Sequence, residues 1–284
     1  MNKRCMAVLM TVMVLPLLSA LQWPVDIAYM KESFLDEKSG ERQAGLSFES
    51  YDAMRPYDYG ETVFRYIPDV YGGLPGSEDA LLVLEHENGF QSIYTGITPE
   101  EVRADRSRIS AGEYLKAPAG GEALHSCTFY IRDAHLNQLV NPLLLLPVPR
   151  DTVKPLIESV ILRDESGRYE LIGPEEPVVV PVGNYQVFIR AVDETSQGIR
   201  QMPYSFALYN LGSLLMERQL DAVILKDNVR SFKDGASLNS IFPEKETLHL
   251  GEIILTSGRS LLEVSVFDVQ GNEGTRSIEL QVER

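Results

Sequence analysis

The chain has 284 residues, of which 44% are apolar and 24% charged, and carries a formal net charge of −15. These values sit in the ordinary globular range, and the length accommodates two domains of common size. The acidic balance excludes a nucleic-acid binder of the usual kind, because phosphate contact relies on Lys and Arg clusters that are absent here.

Residues 1–20 carry a basic start "MNKR", an apolar run "CMAVLMTVMVLPLL" and a small-residue end "SA", the layout of a secretory signal peptide. Cleavage is expected after Ala20. Pro16 interrupts the run, which falls short of the roughly 20 apolar residues of a membrane span, so an uncleaved anchor is the alternative. Loss of Lys3 and Arg4 leaves 24 basic residues against 41 acidic ones, a net charge of −17. Cys5 leaves with the segment and Cys127 stands alone, so no internal disulfide is expected and both domains must be held by their cores. The expected product is exported to the periplasm or cell envelope, with no membrane span after cleavage.

From Trp23 to Pro149, short β-rich runs alternate with turn clusters. "ALLVLEHENGFQSIYTGI" is the clearest unit, two apolar strands joined by an Asn-Gly turn. "TPEEVRADRS" opens with a helix start and predicts one or two helical turns. After it, "ISAGEYLKAP" and "LHSCTFYIRD" return to strands. Four prolines in "PLLLLPVPRDTVKP" stiffen the connection to the second half. There, "LIESVILRD", "PVVVPVGNYQVFIRAVD", "YSFALYNL", "LLEVSVFDV" and "SIELQVE" recur with turns between them, which predicts a β-sandwich. "MERQLDAVILKDNVRSF" fits helix and strand equally. The predicted fold class is therefore all-β, with a β domain at 21–149, a Pro-rich linker at 150–155 and a sandwich at 156–284.

Several stretches of the first half, in order, resemble the lysostaphin/LytM-type zinc endopeptidases of bacterial cell walls. "WPVD" is similar to the family's opening, "RQAGLSF" to its H-x-G-x-D ligand stretch, and "GETVFRYI" to the strand that follows. "LVLEHENGFQSIYTGI" resembles the I-x-H-x-N-G-x-x-T-x-Y-A-H-L hairpin, "ISAGEYL" the V-x-x-G-Q-x-I stretch, and "LHSCTFYIRDAHLNQLVNPLLLLP" the P-H-L-H-F-E-I-R segment with its following V-N-P. The resemblance implies a peptidase-like β domain. It also implies that the metal and catalytic positions fall on Gln43, Ser47, Gly96, Ser126 and Thr128, none of which suits a metal. A catalytic zinc needs about three ligands drawn from His, Cys, Asp or Glu, with one position open for water. No metal and no cofactor is expected here; zinc enters only if the ligands lie elsewhere.

Neighbouring residues offer little rescue. His125 precedes the expected position by one residue, and alternation along a strand turns it, with Cys127, to the face opposite Ser126 and Thr128 unless a β-bulge intervenes. His86 matches a turn histidine of the family hairpin, His135 sits in a surface turn, and His249 is isolated. No G-x-S-x-G, H-E-x-x-H or C-x-x-C occurs, and the glycine-rich "YGGLPGSED" lacks the lysine and helix start of a phosphate cradle. The acidic pairs Asp193–Glu194 and Glu175–Glu176 read as solvated turn residues, and Tyr51, Tyr57 and Tyr59 as loop aromatics packing on their own domain.

The second half resembles the immunoglobulin-like domains that follow such peptidase modules, through "VGNYQVFIRAVDETS" and "LLEVSVFDVQGNEG", the latter with a D-x-x-G-N turn. Degenerate members of the peptidase family regulate cell-wall amidases or act as envelope scaffolds. The resemblance thus implies a non-catalytic binding protein whose former groove lies near Gln43, Ser47, Tyr94, Ser126 and Thr128, and whose partner is an envelope protein or a peptidoglycan peptide. The alternatives are an active zinc endopeptidase with displaced ligands and a purely structural envelope protein.

Overall fold

This computed structural model describes residues 21–284 apart from 39, 68–79, 104–105, 118–123, 166, 172–176 and 227–228. The expected signal segment, the stretch "YGGLPGSED" and the Glu175–Glu176 pair lie outside the described residues. The fold is all-β. Its first half contains β1 (Met30–Glu32), β2 (Glu37–Lys38), β3 (Glu41–Arg42), β4 (Leu46–Ser50), β5 (Gly60–Tyr66), β6 (Ala80–Glu85), β7 (Phe90–Ile97), β8 (Arg108–Ile109), β9 (His125–Asp133) and β10 (Gln138–Val140).

Local chemistry explains the predicted connections. The β6–β7 hairpin turns at Gly89, whose φ of 83° suits glycine, and Asn88 Oδ1 accepts from the Phe90 amide at 3.1 Å. Helix α1 (Pro99–Arg103) starts with a reciprocal capping box: the Glu101 amide donates to Thr98 Oγ1 at 3.3 Å, and the Thr98 amide donates to Glu101 Oε2 at 2.9 Å. The expected strand in "ISAGEYLKAP" is reduced to β8 and a single bridge between Met54 and Lys116.

The second half contains β11 (Leu156–Arg163), β12 (Arg168–Leu171), β13 (Val178–Pro181), β14 (Gly183–Glu194), β15 (Arg200–Gln201), β16 (Ser205–Asn210), β17 (Ser213–Gln219), β18 (Ala222–Lys226), β19 (Val229–Ser231), α2 (Leu238–Ile241), β20 (Thr247–Leu255), β21 (Gly258–Phe267) and β22 (Glu273–Glu283). One sheet runs β12-β11-β14-β15 with β20 on the other edge of β14; the second runs β13-β22-β21-β16-β17, with β13 and β22 parallel. Val187 and Ile189 of the first sheet and Val264 and Val266 of the second share one buried core. Full burial of each such side chain stabilises the fold by about 1.5–3 kcal/mol before entropy is counted.

The ambiguous stretch "MERQLDAVILKDNVRSF" is extended. Its β18–β19 hairpin leaves the sandwich and completes the sheet of the first half, in the order β19-β18-β10-β9-β7-β6-β5-β8, with β4 also on β9 and β1 on β4. Ile224, Val223 and Ala222 pair with Gln138, Leu139 and Val140. In the opposite direction, Phe34, Leu35 and Ala44 belong to the core of the sandwich. Arg42 rivets the two halves: its guanidinium donates to Leu35 O and Glu244 O, each at 3.0 Å, and lies 4.6 Å from the Phe242 ring centroid.

Candidate functional site

The site is built on the β4–β9 ladder. Along β9, Cys127, Phe129 and Ile131 are buried in the core, so the alternation of a strand turns Ser126, Thr128 and Tyr130 to the opposite face. The register sets Ser47 against Thr128 and Glu49 against Ser126, while Leu46 and Phe48 join Phe129 and Cys127 inside. Ser47 Oγ and Thr128 Oγ1 stand 3.5 Å apart, and Gln43 Nε2 donates to the Tyr130 hydroxyl at 3.0 Å. Four of the positions named from the sequence therefore share one face, and Ser47 is only 1% exposed there.

Two glycines shape this face by what they exclude. A Cβ at Gly45 would stand 2.5 Å from Phe129 O and 2.6 Å from the Tyr130 ring, so the tyrosine can lie across the backbone only at glycine. Gly96 has φ of 74°, and a Cβ there would stand 2.1 Å from Ser126 O. It occupies a bulge: the β6–β7 register slips between Ala80 and Leu81, which pair with Ile97 and Thr95. The Thr95 hydroxyl fills the resulting gap in the ladder, accepting from the Thr128 amide at 3.2 Å and donating to Thr128 O at 3.4 Å. A side chain of any size at position 96 would need this backbone to move.

Tyr94 does not line the groove. It is fully buried among Phe129 and Tyr57, its oxygen accepts from the Tyr57 amide at 2.7 Å, and burial raises its phenol pKa well above the ordinary value. The sequence assignment is corrected because Tyr94 stands opposite Phe129, an inward position, and the turn of the chain at Gly96 comes only after it.

His125 pairs with Ser50, next to the inward Phe48–Cys127 pair, which places it on the face away from Thr128. Bulges near the site sit in β7 and in β1, whose register with β4 slips between Met30 and Glu32, while β4 and β9 pair without a slip. His86 is structural: Nδ1 meets Tyr59 O at 2.7 Å and must donate, so Nε2 accepts from Ser92 Oγ at 2.7 Å, and burial lowers the pKa of this neutral ring. His135 is exposed, and His249 stacks on Phe188 with ring centroids 4.8 Å apart. Tyr57 packs in the core, Tyr51 is exposed and Tyr59 half-buried.

The structure adds Lys116, which is only 7% exposed and donates from Nζ to Gly96 O at 2.6 Å. With Gly96, His125 and Ser126 it lines a shallow recess of about 370 Å³, and its charge helps to lower the His125 pKa, after burial. Nothing in "GEYLKAP" marks this lysine; its burial follows from the long-range bridge to Met54. Glu32 and Glu49 approach the Ser47 face from β1 and β4, with Glu49 3.9 Å from Lys31 Nζ. Among the described residues, however, the one grouping of three metal-competent side chains is Asp151, Asp193 and Asp268, away from this ladder. Asp193, read from the sequence as a solvated turn residue, is fully buried.

A protein-family model for a domain of unknown function matches residues 154–283, less than half of the chain. No curated protein matches the sequence. Among solved structures, the extracellular domain of a B. thetaiotaomicron protein described as a one-component system aligns at 10% identity with a TM-score of 0.21, covering 78% of this chain and 31% of that one. The chain thus spans less than a third of that protein chain's length, and at this score the likeness carries no argument. Among the described residues no helix is long and apolar enough to cross a membrane.

Proposed function

We propose that the protein is exported and acts without catalysis, through binding in the cell envelope, as a regulator of cell-wall hydrolases or a scaffold whose first half is a degenerate LytM-type domain. The observation that carries this reading is the Ser47–Thr128 pair. Where the family resemblance expects a carboxylate and a histidine facing one ion, two hydroxyls stand 3.5 Å apart, and the neighbouring Gln43 amide is committed to Tyr130. Neutral hydroxyls and an amide neither hold Zn²⁺ nor lower the pKa of its water. The closed backbone at Gly96 adds to the support, since it leaves no room for a catalytic side chain.

The test is zinc stoichiometry by elemental analysis, on mature protein purified without chelator or affinity tag and dialysed against a small zinc excess. Essentially no zinc is expected, together with co-sedimentation with peptidoglycan or capture of an envelope protein by cross-linking. Near one equivalent of zinc, with cleavage of peptide cross-links that chelation abolishes, would return the endopeptidase reading.

A further inference from the structure

Three segments converge where the connector enters the sandwich. Asp151 belongs to the connector, Asp193 lies near the end of β14, and Asp268 opens the D-x-x-G-N turn between β21 and β22. One carboxylate oxygen from each lies within 4.8 Å of the other two, and the residues are 9%, 0% and 3% exposed. Two of the three are oriented by the chain itself. Asp151 Oδ1 accepts from the amides of Val153 and Ser196 and from Ser196 Oγ, and Asp268 Oδ1 accepts from the amides of Gln270 and Asn272. Asn272 Nδ2 then bridges Asp268 Oδ2 and Asp151 O, at 2.6 and 3.3 Å. Asp193 differs: Oδ2 accepts from Gln201 Nε2 at 2.8 Å, whereas Oδ1, sealed from solvent, has no hydrogen-bond partner among the described residues. No lysine or arginine among the described residues forms an ion pair with any of the three.

A buried carboxylate with one unpartnered oxygen, grouped with two further carboxylates, is costly unless a cation or a proton neutralises it. The oxygens come from three separate segments, and their spacing lies within reach of one hard cation. Ligands at 2.3–2.6 Å from Ca²⁺ can stand up to about 5 Å apart, which the separations here satisfy, and Mg²⁺ dehydrates reluctantly and is rarely held by a cage of protein carboxylates alone. We propose that Asp151, Asp193 and Asp268 form a divalent-cation site of the calcium type that fastens the connector to the sandwich and so fixes how the two halves meet. Its affinity belongs with extracellular modules, Kd about 10⁻⁴–10⁻³ M, because only three carboxylates contribute and water completes the shell.

The test uses the full chain, stripped with EDTA and dialysed at pH 7.5. Titration with CaCl₂ by calorimetry is expected to give one equivalent, with MgCl₂ at least tenfold weaker, and 10 mM CaCl₂ to raise Tm by about 3–8 °C. Asp193→Asn is expected to lose the calcium response while matching or exceeding the parent Tm in EDTA, a combination that misfolding would not produce. Asp151→Asn, at the more accessible ligand, is expected to weaken calcium binding at least tenfold and decides the matter if Asp193→Asn does not fold. No heat and no Tm shift for the parent chain would overturn the proposal, as would a folded variant that keeps the full calcium response.

Discussion

Ser47 Oγ and Thr128 Oγ1 face each other across the β4–β9 ladder at 3.5 Å, the outer limit of a hydrogen bond. A contact that long contributes little, so Thr128→Val is expected to cost no more than about 1 kcal/mol in urea denaturation. A loss near 3 kcal/mol would mean that the hydroxyl anchors something stronger than Ser47, and the picture of a vacated site would need revision.

Gly96 is a sharper constraint. Its Cβ would collide with Ser126 O and Cys127 Cα on a backbone already at positive φ. Gly96→Ala is expected to destabilise by about 3 kcal/mol or more in chemical denaturation, from left-handed strain plus the collision. Gly112→Ala, where nothing lies within 4 Å, should be nearly neutral and serves as the control.

The Tyr94 hydroxyl is spent on the Tyr57 amide. Tyr94→Phe should therefore cost about 1–2 kcal/mol by leaving that buried N–H unsatisfied, and should leave binding to peptidoglycan or an envelope partner unchanged. Weakened binding without lost stability would put Tyr94 back at the groove.

Local pattern and long-range pairing differ in how well the sequence reveals them. The alternation of Cys127, Phe129 and Ile131, the Asn-Gly hairpin and the Thr98–Glu101 helix start are local signals, and they fold as read. Tyr94 was misplaced because its face depends on its partner Phe129, thirty-five residues away. "DAVILK" gave no single period because Val223 and Ile224 serve a sheet whose other strands, β19 apart, lie in the first half, and such pairing leaves no mark in either segment. Asp193 looked solvated because its turn is polar, yet the connector and the 268–272 turn close over it.

The contributions of Asp193 and Asp36 to stability should fall as pH rises through the weakly acidic range, opposite in sense to that of His86, whose pKa burial lowers. Burial, reinforced by Asp268 and Asp151, pushes the Asp193 carboxyl up to about 6, and burial does the same for Asp36 despite the nearby Arg42. The folded state therefore holds these protons between the unfolded value near 3.8 and about 6, where the unfolded chain has already lost them. Each group's penalty is absent below the first value and complete above the second. In EDTA, Asp193→Asn is expected to stabilise by on the order of 1–3 kcal/mol at pH 7.5 and to have little effect at pH 4. Equal effects at both pH values would mean that Asp193 titrates normally.

The two halves should not fold independently, even though the chain narrows to a proline-rich connector between them. Residues 21–155 alone would lose β18, leaving the backbone groups of β10 unpaired at a new sheet edge, and would expose Phe34, Leu35 and Ala44. They would also lose the Arg42 contacts with Glu244 and Phe242. Expressed alone, this fragment is expected to aggregate or to lack dispersed amide resonances, whereas the full chain unfolds in one cooperative transition. The milder Arg42→Met, which leaves Leu35 O and Glu244 O without their donor, should lower stability by about 2–4 kcal/mol without breaking that single transition. A well-folded 21–155 fragment, or two separate transitions in calorimetry of the full chain, would show that the shared sheet and the Arg42 rivet are incidental contacts between autonomous domains.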